Sequence, residues 1–314
     1  MISFVIPVFN EKENIAFLID ETISVLKKGK TNEFEILIVS DGSTDGTNEI
    51  IKKLVKTYKW VKGIIFRCRQ GKASALTTGF EKACGDIIVT LDGDGQDDPH
   101  QLHKLLKELD KGYDMVSGWK KNRKDSFIKN TSSLIFNRVV SFFTKLNLHD
   151  YNSGFKAYKK GAAKSLKLYG ELHRYIPLFL DSYGYKVTEV RIDHRRRFHG
   201  NSKYSWERFF HGYFDLFTML LVTRFHSRPL HFFGYIGFIF FSLGFAGGAY
   251  LTLLKIFSGQ TIGSRPLLLL SVMLIIMGVQ ITITGLIGEY ITYILKNKPE
   301  KPDDLVKEQY GFNK

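Results

Sequence analysis

Cysteine is scarce in this chain: Cys68 and Cys84 are the two in 314 residues. Their separation matches neither a metal-ligand nor a dithiol redox spacing, which fits a reducing compartment. Both are expected to be packing residues. A signal peptide is not expected either, because "MISFVIPVFNEKEN" has no basic n-region and its apolar run is too short. No internal repeat or low-complexity tract occurs. Acidic residues are in deficit, 31 against 45 Lys and Arg, for a formal net charge of +14. No zinc-ligand pattern, basic zipper or aromatic RNA-binding signature accompanies that charge, so nucleic acid is not an expected partner. Membrane lipids with anionic headgroups, beside a tethered domain, explain it more simply.

Charge is almost absent from 230 to 295. The runs 231–257 and 266–295 each exceed the roughly 20 apolar residues that a bilayer span needs, and the connector "SGQTIGSR" makes them a hairpin. Arg224 and Arg228 precede the first run and Lys296, Lys298 and Lys301 follow the second, whereas Lys255 and Arg265 flank the connector. The positive-inside rule therefore places both termini in the cytoplasm, at a cell inner (plasma) membrane with two spans. The expected organisation is a catalytic domain over 1–203, an amphipathic interfacial helix over 204–229, the hairpin over 230–296 and a polar tail over 297–314. Trp206, Phe209, Phe210, Tyr213, Phe214, Phe217 and Leu221 form the apolar face of that interfacial segment; a plain core helix is the other reading.

Residues 1–118 alternate β-branched runs with helical stretches, the signature of βαβ units and a mostly parallel α/β sheet. Strands are predicted at 2–8, 34–40, 61–66, 86–91 and 113–118, and helices at 11–28, 72–83 and 99–111. Open parallel sheets bind ligands beyond the carboxyl ends of their strands. "PVFNE", "SDGSTDG" and "LDGDGQDD" all sit there.

The third of these gathers carboxylates that repel one another unless a cation joins them. Asp92, Asp94 and Gln96 fall on one side of an extended segment, and Mg²⁺ or Mn²⁺ takes such oxygen ligands and shares them with a diphosphate. Asp97 and Asp98, ahead of Pro99, read as the cap of the next helix. Asp41 either accepts from a base N–H or caps its helix, as Ser43, Thr44 and Asp45 also can. Pro7, Phe9 and Glu11 either shape a base pocket or form an ordinary strand-to-helix turn.

Seven segments in order, "VIPVFNEKENI", "SDGSTDGT", "GKASALTTGF", "LDGDGQDDP", "SGWKKNRKD", "DYNSGFKAY" and "RFHGNSKY", resemble those of inverting family 2 glycosyltransferases with a GT-A Rossmann-like fold. The likeness is to the polyprenyl-phosphate type, such as bacterial undecaprenyl-phosphate glucosyltransferases and dolichyl-phosphate mannose synthase, and covers about 1–205 plus the hairpin. It implies a nucleotide-sugar donor, a polyprenyl phosphate acceptor, an Mg²⁺ or Mn²⁺ ion and a homo-oligomer, with a tetramer packed through the hairpins as one form. Residue by residue, it implies that Pro7, Phe9, Glu11, Val39 and Asp41 hold the base, with Lys72 and Gly93 near the diphosphate. Asp92, Asp94 and Gln96 would hold metal, Asp94 and Asp150 would be catalytic, and Arg123, Arg197, Ser202 and Lys203 would grip the acceptor phosphate. For Asp150, a turn aspartate bonded to the backbone of Asn152 or Ser153 is the plain reading. Two departures stand out: Ser40 replaces a second acidic residue, and glycines at 93 and 95 are expected to loosen the metal loop.

A lipid monophosphate is mostly a dianion at neutral pH, so it needs cations and in-line positioning more than a general base. The expected activity is transfer of a hexose, glucose from UDP-glucose first, to undecaprenyl phosphate. A GDP-mannose-dependent synthase is the alternative enzyme, and a non-catalytic membrane adaptor the alternative of another class. A polymerising synthase would need a Q-x-x-R-W motif, which is missing.

Overall fold

The structure, a computed structural model, describes residues 1–29, 33–120, 146, 148–193, 195, 228–259, 261–263 and 265–296. Two compact units are present, one within 1–219 and one within 220–314.

The first unit is built on a seven-stranded sheet. In chain order it contains β1 (Ile2–Val8), α1 (Ile15–Lys28), β2 (Phe34–Ser40), α2 (Thr47–Thr57), β3 (Val61–Ile65), α3 (Lys72–Lys82), β4 (Ile87–Thr90), α4 (Leu102–Asp110) and β5 (Met115–Lys120). These are followed by β6 (Lys156–Lys159), α5 (Lys160–Lys164), α6 (Ile176–Ser182) and β7 (Val187–Ile192). The spatial order is β3-β2-β1-β4-β6-β5-β7, parallel except where β6 runs antiparallel to β4 and β5. All five predicted strands form, each within two residues of its expected ends. The sequence reading did not include β6 and β7.

The β1 and β2 segments read as unbroken apolar runs because every residue of both is buried. Phe4, Ile6, Ile36, Ile38, Val89 and Val116 point to one face, where Leu18, Ile19, Ile51 and Leu105 from α1, α2 and α4 complete the core. On the opposite face α3 packs against β1 and β2. One charged side chain sits inside β2: Glu35 accepts from Ser3 Oγ at 2.6 Å, Lys62 Nζ at 2.7 Å and the Cys84 N–H at 2.7 Å. Burial alone would raise its pKa, but Lys62 and these hydrogen bonds hold it below the usual range. Cys68 and Cys84 are exposed free thiols, not packing residues. Cys68 follows the largely exposed strand β3 and Cys84 follows α3, and the chain at both positions runs along the surface.

The second unit contains α7 (Pro229–Ser258) and α8 (Pro266–Lys296), both long and apolar enough to cross a membrane. Small residues bring their backbones together. A Cβ on Gly278 would stand 2.6 Å from both Gly237 O and Phe241 N, and one on Gly244 would stand 2.6 Å from Ser271 O. Glu289 of α8 accepts from the Leu230 N–H at 3.2 Å, satisfying one free donor of the α7 start. Gly278→Leu is expected to destabilise the hairpin by about 1–3 kcal/mol. Gly248→Ala, where a Cβ meets nothing within 4 Å, should be neutral. Thermal unfolding in detergent compares the two, and a Gly278→Leu protein that melts like wild type would refute the close approach. The interfacial helix expected over 204–229 lies almost wholly outside the described residues.

Candidate active site

Parallel pairing of β1 with β2 and β4 puts their carboxyl ends on one rim, with Val8 opposite Ser40 and Val5 opposite Thr90. The first two loops are joined by four hydrogen bonds: Asn10 N–H to Ser43 Oγ, Glu11 N–H to Thr47 Oγ1, Lys12 N–H to Asp45, and Thr44 N–H to Asn10. Pro7 and Val39 are register partners on the adjoining strands. Ser40, in place of an acid, is buried and bonded to Ser43 and Asn48. Asp41 does not cap α2. Its carboxylate accepts from the Gln70 N–H at 2.6 Å and the Gly71 N–H at 3.0 Å, which fixes the turn before α3. That turn holds the Arg69 guanidinium 4.4 Å above the Phe9 ring.

The acidic loop turns where an extended segment was expected. β4 stops at Thr90, and Asp94 accepts from the Gln96 N–H at 3.1 Å. Asp92, Asp94 and Gln96 nevertheless remain partly exposed while Gly93, Gly95 and Asp97 are buried. The glycine at 93 does not loosen this loop: a Cβ there would lie 2.6 Å from Val8 Cγ1, so glycine permits close packing on β1. Lys72 at the start of α3 donates to Asp92 at 2.5 Å. Burial would raise the Asp92 pKa, but the Lys72 ammonium holds it at about 2. Asp92, Asp94 and Gln96 supply oxygen donors of the kind that suit Mg²⁺ or Mn²⁺, with the Lys72 ammonium paired to Asp92.

The last two aspartates of the loop divide. Asp98 accepts from the His100 N–H at 3.0 Å, as a cap should. Asp97 instead lies 1% exposed, ion-paired with Lys120 of β5 at 2.6 Å. Burial would lower the Lys120 pKa, but Asp97, with Asp92 and Asp150, raises it. Pro99 suggested a cap at both positions; the partner for Asp97 comes from a distant strand. A further acidic group, Glu21, Asp98 and His100, has metal-like spacing. Arg195 already contacts Glu21 at 2.7 Å and Asp98 at 2.6 Å, so a guanidinium occupies it.

The third wall comes from the chain entering β6. Asp150 is buried, and its carboxylate accepts from the Asn152 N–H at 3.1 Å, so the plain turn contact exists. Asp150 also acts electrostatically on Lys120 and Lys156. Thr90 Oγ1 donates to Gly154 O at 2.8 Å, and a Cβ on Gly154 would sit 2.3 Å from the Asp92 carboxyl carbon. Lys156, 3% exposed, donates to Ser153 O. Burial, with Lys72, lowers its pKa to about 8 against the pull of Asp150, Asp92 and Asp97. Below α3, Lys72, Asp92, Asn152, Lys156, Tyr158 and His173 surround a cavity of ≈ 10 Å³. Gly154, Lys156 and His173 were not among the expected site residues; the first two stand in "DYNSGFKAY", while a lone histidine in "ELHRYIP" carries no spacing signal. Arg123, Arg197, Ser202 and Lys203 lie outside the described residues.

The profile of Glycosyl transferase family 2 matches residues 3–167, and that of the GtrB C-terminal hairpin matches 228–294. The chain belongs to glycosyl transferase family 2. It is 33% identical to the dodecaprenyl-phosphate galacturonate synthase of Rhizobium johnstonii, over 98% of this chain and 92% of that protein. It is 30% identical to the undecaprenyl-phosphate 4-deoxy-4-formamido-L-arabinose transferase of Photorhabdus laumondii, over 100% of this chain and 95% of that one. Glucosyl-3-phosphoglycerate synthase of Mycobacterium tuberculosis, crystallised with Mn²⁺, UDP and phosphoglyceric acid, shares the fold with a TM-score of 0.56 at 21% identity, over 71% of this chain and 78% of that one. The protein is thus a glycosyltransferase with a GT-A-like sheet.

Proposed function

We propose that this glycosyltransferase moves a sugar from a nucleotide donor to a polyprenyl phosphate at the inner face of the cell membrane. The observation that carries the reading is the convergence of Asp92, Asp94, Lys72 and Asp150 on one rim, in a chain that also has a two-helix apolar hairpin. The relatives' names support the acceptor class. For the sugar they favour galacturonate or a 4-deoxy-4-formamido-L-arabinose type; glucose, the expectation from resemblance, has no such support, and GDP-mannose is not favoured.

Phe9, under the Arg69 guanidinium, and the Asp41-anchored turn would receive the base, with Pro7, Glu11 and Val39 shaping the floor. Lys72 would turn from Asp92 toward the diphosphate. Asp92, Asp94 and Gln96 would hold Mg²⁺ or Mn²⁺, which when bound supplies positive charge to the departing diphosphate. An acceptor phosphate oxygen bonds to the anomeric carbon as the bond to the nucleoside diphosphate breaks, with inversion. The acceptor dianion brings its own electron pair, so no proton has to be removed. Asp150 orients acceptor or sugar, and Arg123, Arg197, Ser202 and Lys203 are proposed to neutralise the acceptor phosphate.

The test supplies purified protein with undecaprenyl phosphate, Mn²⁺ and labelled UDP-galacturonate, UDP-4-deoxy-4-formamido-L-arabinose, UDP-glucose or GDP-mannose in parallel. Label should enter the lipid phase from one donor, and chelator or Asp94→Asn should abolish it. Nucleotide binding without transfer from any donor would favour the adaptor reading.

A further inference from the structure

The cavity under α3 contains polar atoms that the folded chain leaves unmet. His173 Nδ1 is buried without a hydrogen-bond partner among the described residues, and the buried Tyr158 Oη has Thr90 Oγ1, which itself donates to Gly154 O, as its polar neighbour. Lys156 uses one of its three donors on Ser153 O. Unpaired polar atoms in the interior cost about 1–3 kcal/mol each, and the field of Asp150, Asp92 and Asp97 offsets the Lys156 charge without using its two remaining donors. The cross-strand partners of Lys156 are Thr90 and Ser117, both neutral.

The chemistry of the lining defines its occupant. Lys156 can only donate, Tyr158 can donate or accept, and a neutral imidazole offers one lone pair and one N–H. Burial, then Lys72 and Arg174, hold His173 well below the usual histidine range, so the ring is neutral at pH 7. A carboxylate does not suit the space, which has room for about one water. A group of water size that both donates and accepts is a hydroxyl. Asp92 and Lys72 also line this cavity, which places it directly beside the proposed diphosphate position, where the donor's sugar ring must lie.

We propose that Lys156, Tyr158 and His173 form a subsite for one hydroxyl of the donor sugar, with His173 as a specificity residue. The inference rests on the glycosyl-transfer reading above. Without donor, the cavity would hold a water that the hydroxyl replaces, reproducing its hydrogen bonds. A site built to hydrogen-bond a hydroxyl penalises its loss heavily, because its own polar atoms are then left unpaired. Neighbouring substitutions should therefore separate sugar recognition from nucleotide recognition.

The experiment compares wild type, His173→Phe, His173→Asn and Tyr158→Phe as full-length protein in detergent. Affinities are measured for UDP and GDP and for UDP-galacturonate, UDP-glucose and GDP-mannose, alongside kcat/KM for transfer. In His173→Phe, UDP and GDP affinity should stay within about twofold. The extra affinity conferred by the sugar should vanish, and kcat/KM should fall on the order of 100-fold. Asparagine, whose amide reaches the position of Nδ1, should recover at least about tenfold of that loss. The proposal is overturned if His173→Phe weakens nucleoside diphosphate and sugar nucleotide equally, which is a folding role. It is equally overturned if neither binding nor turnover changes, which leaves only a structural water. Failure of the glycosyl-transfer reading shows separately, as wild type that transfers from no donor, and the binding comparison then still decides the subsite.

Discussion

Gly154→Ala is expected to lower sugar transfer on the order of 100-fold while the catalytic domain stays folded. The added Cβ would lie 2.3 Å from Asp92 Cγ and 2.4–2.5 Å from its two oxygens. What must yield is a carboxylate tip, not backbone, so the sheet survives and the site does not. Gly154 is not among the positive-φ glycines, so alanine adds no backbone strain. Asp92 would leave the Lys72 contact at 2.5 Å and with it the place proposed for the ion. Misplacing one catalytic group by about 1 Å is enough for a loss of that size. Mn²⁺ titration followed by electron paramagnetic resonance reads the site directly, and thermal unfolding reads the fold. A variant that binds Mn²⁺ and turns over within about threefold of wild type would show that Asp92 works from another rotamer.

Lys120→Met is expected to destabilise the catalytic domain by about 3–5 kcal/mol, because the buried Asp97 carboxyl group then loses the cation that offsets its desolvation. The Lys120 ammonium is the ion-pair partner of the Asp97 carboxylate among the described residues, at 2.6 Å, with side-chain exposures of 9% and 1%. A buried pair carries a large desolvation cost of its own, so removing both charges is far milder than removing one. Lys120→Met with Asp97→Leu should therefore recover most of the loss. Denaturant titration of the three proteins gives the comparison. A single-variant loss below about 1 kcal/mol would mean that water reaches the pair.

Much of this protein is legible without coordinates. The β1 and β2 strands announce themselves as apolar runs because both their faces are covered. The hairpin does so because its two helices are long, apolar and almost free of charge, as a bilayer span would require. The rim could be inferred, since parallel strands must end together. By contrast, "KAYK" of β6 is four residues long and pairs antiparallel with strands far away in the chain, and nothing local specifies such a partner. Lys156 and Tyr158 look like surface residues in the sequence, yet both are buried.

The sequence by itself determined the family, the two apolar helices and the location of the acidic loop, all of which depend on local pattern and ordered motifs. Tertiary structure alone decided which carboxylate does what. Asp92 faces Lys72, Asp97 turns inward to Lys120, Asp98 caps, and Asp41 anchors the turn that sets Arg69 over Phe9. The same aspartate side chain takes each of these roles, because a carboxylate's role is set by the donor or cation that folding brings within about 3 Å of it, and those partners come from distant parts of the chain.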